Sequence, residues 1–237
     1  MSLHRYFCLF ITICLLIAPF SCQSQQQKEK SFSALKSNLE KTKSRPAYDS
    51  LHFLLTEHYT DLTANERKAL RQTLEKYAVW PSETMCPDSE PGTKITISGH
   101  VTDENGKPVK GAKVHIFQTN HRGFYAPTDS ILGKMQENDA RLNGYLTSDS
   151  SGAFTIHTIR PASYPKKYEG RFIPQHIHLN THAAGFQENA VQMVFEDDPA
   201  MTAHWVDWSK EMGYPIVKLA YGEARAYGKV ELRLITY

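Results

Sequence analysis

The sequence predicts a mainly β protein, an antiparallel sandwich of two sheets, preceded by an N-terminal helical segment. Three observations carry this expectation. From Lys94 onward apolar residues recur with a period of two, in runs of strand length. Turn sequences such as "DENGKP" and "SDSSG" separate those runs. Before Lys94 the apolar period is helical instead, and a proline-rich break divides the two regimes.

The chain of 237 residues suits one domain with attachments, or two small ones. Its 41% hydrophobic and 22% charged residues are those of an ordinary globular protein. A formal charge of +2 is too small to argue for nucleic acid or an anionic membrane surface as a partner. There is no internal repeat, Gly-rich phosphate loop or zinc-type cysteine pairing.

Residues 1–21 read as a signal peptide. A basic start leads into an apolar run from Tyr6 to Phe20, short for a membrane span and followed at once by polar sequence. "FSC" resembles a bacterial lipoprotein processing site, which implies export, a lipidated Cys22 as first mature residue, and a bacterial membrane anchor on the periplasmic or cell-surface side. A plain signal peptide with an incidental Cys22 is the alternative. Of the four cysteines, Cys8 and Cys14 lie in the apolar run, so only Cys86 remains beside Cys22 and no internal disulfide is available.

Residues 22–32, rich in Gln and Lys, read as a flexible tether. Residues 33–80 read as helical. Thr63 stands three residues before Glu66, a capping box, and Leu70, Leu74 and Tyr77 follow at helical spacing. "AYDSLHFLLTEHY" suits an earlier helix, with Pro46 just before its start. Such a segment can cap the sandwich or mediate homodimerisation, and the sequence does not choose. Residues 81–93, with three prolines and a glycine, read as a linker.

Residues 94–237 form the expected sandwich. "KITISGHV" puts Ile95, Ile97 and Val101 on one face, and "AFTIHTI" does the same with Phe154 and Ile156. "AKVHIFQ", "QHIHLNTH", "AVQMVF" and "KVELRLITY" complete the strands, with a polar helix near "MTAHWVDWSKEMG". Within "RFIPQHIHLN", His176 and His178 fall on the same side of a strand, with Ile177 between them. Two such imidazoles can share a metal ion, or can simply face water.

Four stretches in order, "GHVTDENGKPVKGAKVHIFQTNHRGFY", "LTSDSSGAFTIHTIRPASYP", "IPQHIH" and "VQMVFEDDP", resemble the intradiol ring-cleavage dioxygenases, the group of protocatechuate 3,4- and catechol 1,2-dioxygenase. The resemblance covers roughly residues 94 to 199. The first stretch is also similar to transthyretin-like and carboxypeptidase-regulatory sandwiches, which lack catalysis of their own. What the resemblance implies is a non-haem Fe(III) ion held by Tyr125, Tyr164, His176 and His178. It implies a small aromatic diol and O2 as substrates, and ring cleavage between the two hydroxyl-bearing carbons to a muconate-type diacid. Tyr164 would be the ligand displaced by substrate, while Tyr125 stays bound. The donor types suit that ion: ferric iron is a hard cation, a bound cation lowers the phenol pKa from about 10, and two neutral imidazoles leave space for substrate.

The substrate-facing positions depart from the family. Ile173 stands where the family carries an arginine, with Arg171 two positions earlier; Tyr145 replaces a second arginine, and Phe117 a tryptophan. Gln192 matches a pocket glutamine. These departures leave room for a larger catechol, and keep open a non-catalytic sandwich lipoprotein on the same scaffold, or a site for another metal such as zinc. His4, His52, His58, His100, His115, His121, His157, His182 and His204 carry no expected role.

Overall fold

The computed structural model describes residues 30–129 and 135–237. The signal segment and Cys22 lie outside the described residues. Residues 30–42 are helical (α1), so helical order already covers the end of the expected tether. Helices α2 (Arg45–Glu57) and α3 (Ala64–Tyr77) follow. The capping box closes as expected: Thr63 N donates to Glu66 Oε2 at 2.7 Å and Glu66 N to Thr63 Oγ1 at 3.3 Å. Leu39, Tyr48, Leu51, Leu55 and Leu74 form a helical core of their own, into which Tyr145 of the β domain inserts.

Ten strands follow: β1 Ser82–Thr84, β2 Lys94–Thr102, β3 Lys113–Gln118, β4 Leu142–Thr147, β5 Ala153–Ile159, β6 His176–His182, β7 Asn189–Phe195, β8 Ile216–Val217, β9 Ala220–Tyr221 and β10 Ala226–Arg233. They make two five-stranded sheets, ordered β1-β5-β2-β10-β9 and β4-β3-β6-β7-β8. The expected purely antiparallel arrangement is corrected here, because both sheets are mixed. β10 runs parallel to β2, β1 to β5, and β8 to β7. Apolar alternation reports which face of a strand is buried and nothing about its neighbour's direction. Tight turns force antiparallel pairs, whereas long connections, here β7 to β8 through helix α4 (Ala203–Glu211), permit parallel ones. Residues 82–84, within the expected linker, form the edge strand β1.

Between the sheets, Ile95, Ile97 and Val101 of β2 meet Ile177 and Leu179 of β6, Met193 and Phe195 of β7, and Val230 and Leu232 of β10. The helical layer docks on β4 and the turn before it through polar contacts. Tyr59 Oη donates to the Asp139 carbonyl at 2.7 Å, and Arg71 Nη2 to the Ala140 carbonyl at 2.8 Å. His52, wholly buried, places Nε2 2.6 Å from the Asn143 carbonyl and Nδ1 2.8 Å from Glu83 of β1. Burial, the largest influence, holds the Glu83 carboxyl above its usual range.

His115 stacks on Tyr145 at 4.6 Å, under this helical layer. Burial, aided by the Arg71 guanidinium, depresses its pKa to about 4. An unfolded His115 takes up a proton near pH 6.5, which the folded one refuses until much lower pH. Its contribution to stability is therefore present above 6.5 and is lost as pH falls toward 4, by up to about 1.4 kcal/mol per pH unit. His115→Phe keeps the ring stack without the proton. Urea unfolding at pH 6.5, 5.5 and 4.5 will show a shallower loss of stability for this variant; equal slopes would refute the assignment.

Candidate metal centre

Strand β6 is buried on both faces. Ile177 and Leu179 enter the sandwich core, while His176 and His178 face the opposite way, beneath the loops that follow β3 and β5. Those loops carry Tyr125 and Tyr164. Asn120 opens the first, its Oδ1 accepting from Arg122 N at 2.9 Å and Phe124 N at 3.2 Å. Gly123 then turns the chain with φ +83, and a Cβ there would stand 2.1 Å from the Ser163 carbonyl oxygen. Only glycine allows so close an approach. Thr119 Oγ1 donates to the Ala162 carbonyl at 2.7 Å, and Ala162 N to the Asn120 carbonyl at 3.1 Å, so the two loops are tied together.

Tyr125 is clamped by its backbone. Asp129 Oδ2 accepts from Tyr125 N at 2.9 Å and Ala126 N at 3.0 Å, while Arg141 N donates to the Tyr125 carbonyl at 2.8 Å. The entry to β6 is fixed as well: Arg160 forks onto Asp197 at 2.9 and 3.0 Å and reaches Gln175 Oε1 at 2.5 Å.

Four polar atoms converge as a result. Tyr125 Oη lies 2.6 Å from Tyr164 Oη, 2.7 Å from His178 Nε2 and 3.4 Å from His176 Nε2; Tyr164 Oη lies 3.2 Å from His176 Nε2. His176 Nδ1 donates to the Pro174 carbonyl at 2.7 Å, which leaves the Nε2 lone pair directed inward. His178 Nδ1 faces Glu137 Oε1 at 3.5 Å, and the ring stacks on Phe117 at 4.3 Å between centroids. Asp129, Pro174 and Glu137 carry no local sequence signal for these roles, because each acts through the fold.

Burial dominates the protonation of all four groups. It pushes the Tyr125 phenol well above its ordinary range and the Tyr164 phenol up to about 12. It depresses His178 to about 3, with His176 adding to the effect, and lowers His176 too. At neutral pH both imidazoles are thus neutral, the form that ligates a metal. The phenols give up their protons only to a strong local positive charge.

The donor set fits a cation. Donors about 2 Å from a shared metal stand about 2.8–3.3 Å apart at neighbouring positions, close to the 2.6–3.4 Å seen here. Among the described residues no group of three or more His, Cys, Asp or Glu is placed to hold a metal ion, so a metal held here needs the phenols.

A cavity of ≈330 Å³ opens on Tyr164 and His176. Ile173, Gln192 and Arg171 all line it. So does His204, to which the sequence assigned no role, together with Trp205 and Trp208 of α4. The i, i+3 spacing of those tryptophans on a largely polar helix was the available signal. Tyr145, by contrast, lies under the helical layer, away from this cavity.

A family model described as "Dioxygenase" matches residues 80–218. The protocatechuate 3,4-dioxygenase beta chain of Burkholderia cepacia is 28% identical over 174 residues, 70% of this chain and 69% of that one. The chlorocatechol 1,2-dioxygenase of Rhodococcus opacus is 30% identical over 123 residues, 46% of each chain, so this match spans under half of that relative. Among solved structures, catechol 1,2-dioxygenase from Pseudomonas arvilla C-1 superposes with a TM-score of 0.54 at 23% identity, over 67% of this chain and 57% of that one. The 3-chlorocatechol 1,2-dioxygenase of Rhodococcus opacus 1CP gives 0.53 at 18% identity, over 92% and 100%. The structural likenesses show the fold, and the family match defines the class as a dioxygenase. Within that class, the chain belongs to the intradiol dioxygenase family.

Gly123→Ala places a methyl group against the Ser163 carbonyl and strains a left-handed backbone. The expected cost is about 1–3 kcal/mol, read as a lower urea midpoint. An unchanged midpoint would mean that the two tyrosine loops separate freely.

Proposed function

We propose that this protein is a non-haem Fe(III) intradiol dioxygenase, which cleaves a catechol-type ring between its two hydroxyl-bearing carbons to a muconate-type diacid. The convergence of Tyr125, Tyr164, His176 and His178 within 2.6–3.4 Å is the observation that carries this reading. Both oxygen atoms of O2 enter the product, so no external reductant is required.

Bound at these four side chains, ferric iron would act as Lewis acid and template, polarising a chelated catechol toward O2. Two phenolates offset two of its three charges, and the neutral imidazoles add none. The tyrosines divide the remaining work. Tyr125 is 1% exposed and clamped along its backbone, which suits a permanent ligand. Tyr164 lines the cavity and is tied less tightly, so its Oη is placed to accept a proton from an incoming catechol hydroxyl and move aside. Ile173, Pro174 and Val194 supply apolar wall for the ring, and the Gln192 carboxamide offers a hydrogen-bonding group beside the donors.

Tyrosinate bound to Fe(III) absorbs visible light. The iron-loaded chain will be burgundy to red-brown, the band will weaken in Tyr164→Phe, and it will shift when catechol is added. His178→Ala will lose iron, measured by metal analysis. A colourless protein after loading would overturn the reading and leave a non-catalytic sandwich module.

The N-terminal sequence supports export and lipid anchoring through Cys22, which we propose as the site of attachment. Cys22→Ser is expected to move the protein from the membrane fraction to the soluble one. Continued sedimentation with membranes would exclude a lipid anchor at this residue.

A further inference from the structure

The cavity is larger than one ring needs. A benzene molecule fills an apolar cavity of about 150 Å³, whereas this one measures ≈330 Å³. Its inner half, at Tyr164, His176, Ile173 and Gln192, is the part that a catechol occupies in the reading above. The outer half has a different character, and two rigid elements build it.

One element is helix α4. Trp205 and Trp208 meet edge to face at 5.4 Å, and Trp208 is braced from behind by Tyr214 at 5.2 Å. The other is the tip of the loop after Tyr164. Tyr168 and Arg171 pair as an isolated antiparallel bridge, with Tyr168 N donating to the Arg171 carbonyl at 2.8 Å and Arg171 N to the Tyr168 carbonyl at 2.9 Å. Between them Glu169 and Gly170 both take positive φ, +48 and +80, as a two-residue hairpin turn requires. Glu169 is one of only two non-glycine residues with positive φ among those described. This turn brings Tyr168 and Arg171 to the lining of the same cavity as the tryptophans. Tyr168 is nevertheless 61% exposed, a large aromatic left facing solvent at the mouth.

We propose that this outer half is a subsite for a second aromatic ring, and that the substrate is a catechol bearing an aryl substituent. Tryptophan edges, a tyrosine and a planar guanidinium favour an aromatic ring over an alkyl group of equal size, because each gains from the ring's quadrupole as well as its area. The proposal rests on the ferric reading for the placement of the diol, but the aryl preference belongs to residues outside the metal centre.

The test is calorimetric titration of the iron-loaded full chain, with O2 excluded so that no ring is cleaved, with catechol, 4-phenylcatechol and 4-cyclohexylcatechol, the visible band being followed in parallel. 4-Phenylcatechol is expected to bind at least tenfold more tightly than catechol, about 1.4 kcal/mol, and severalfold more tightly than the cyclohexyl compound. Trp208→Ala collapses both ratios toward one, and Trp208→Phe restores most of them. Equal affinity for catechol and 4-phenylcatechol, or a ratio that Trp208→Ala leaves intact, overturns the subsite. An aryl preference without any change in the visible band upholds the subsite and brings down the ferric reading instead.

Discussion

The whole site hangs on the register of one strand. β6 is buried on both faces, so a slip by one residue would send the imidazoles into the sandwich core and its aliphatic neighbours into the loops. Pairing on both sides prevents that slip. Across four strands a single row reads Asn143, Phe117, His178 and Gln192. The Asn143 carbonyl receives His52 from the helical layer, Phe117 supports the His178 ring, and Gln192 lines the cavity. Helix docking, ligand orientation and pocket polarity are thereby fixed together, by the same ladder.

Burial then sets the chemistry. Four desolvated polar groups, two held as phenols and two as neutral imidazoles, are costly to gather in the absence of charge. They become favourable donors once a cation is present, since it reverses the penalty on the phenolates while the imidazoles already have the required form. Supporting contacts hold the groups in place from outside the centre: the Pro174 carbonyl on His176, the Asp129 carboxylate on the Tyr125 backbone. Glu137 adds a partly exposed carboxylate facing the outer nitrogen of His178. There it can balance positive charge that a metal passes to the ring.

How much of this was legible in the sequence depends on whether the cause was local. The alternation in "KITISGHV" and the capping box at Thr63 depend on neighbouring residues, and each reads directly. Strand direction depends on where distant segments meet, so the parallel β2–β10 pair left no trace. The four converging side chains were named through family resemblance; spacing alone left His176 and His178 open between a metal pair and surface residues. Gly123 carries no signal either, because its necessity comes from the Ser163 carbonyl forty residues on. Trp205 and Trp208 gave a local signal, but only the fold shows which cavity they face.

The same division separates what is fixed in this molecule from what is free to change. Tyr125 and His178 sit deep, gripped by the sheet and the loop clamp, and any change there disturbs packing as well as ligation. Tyr164 and His176 border the cavity, and the walls beyond them come from a hairpin tip and a helix inserted between β7 and β8. Neither element belongs to the ladder that positions the donors. Substitutions on them can reshape the cavity without moving the four donors. Ile173 and the tryptophans at 205 and 208 are of this kind: they set the walls of the cavity while leaving the four donors where the sheet and loops hold them.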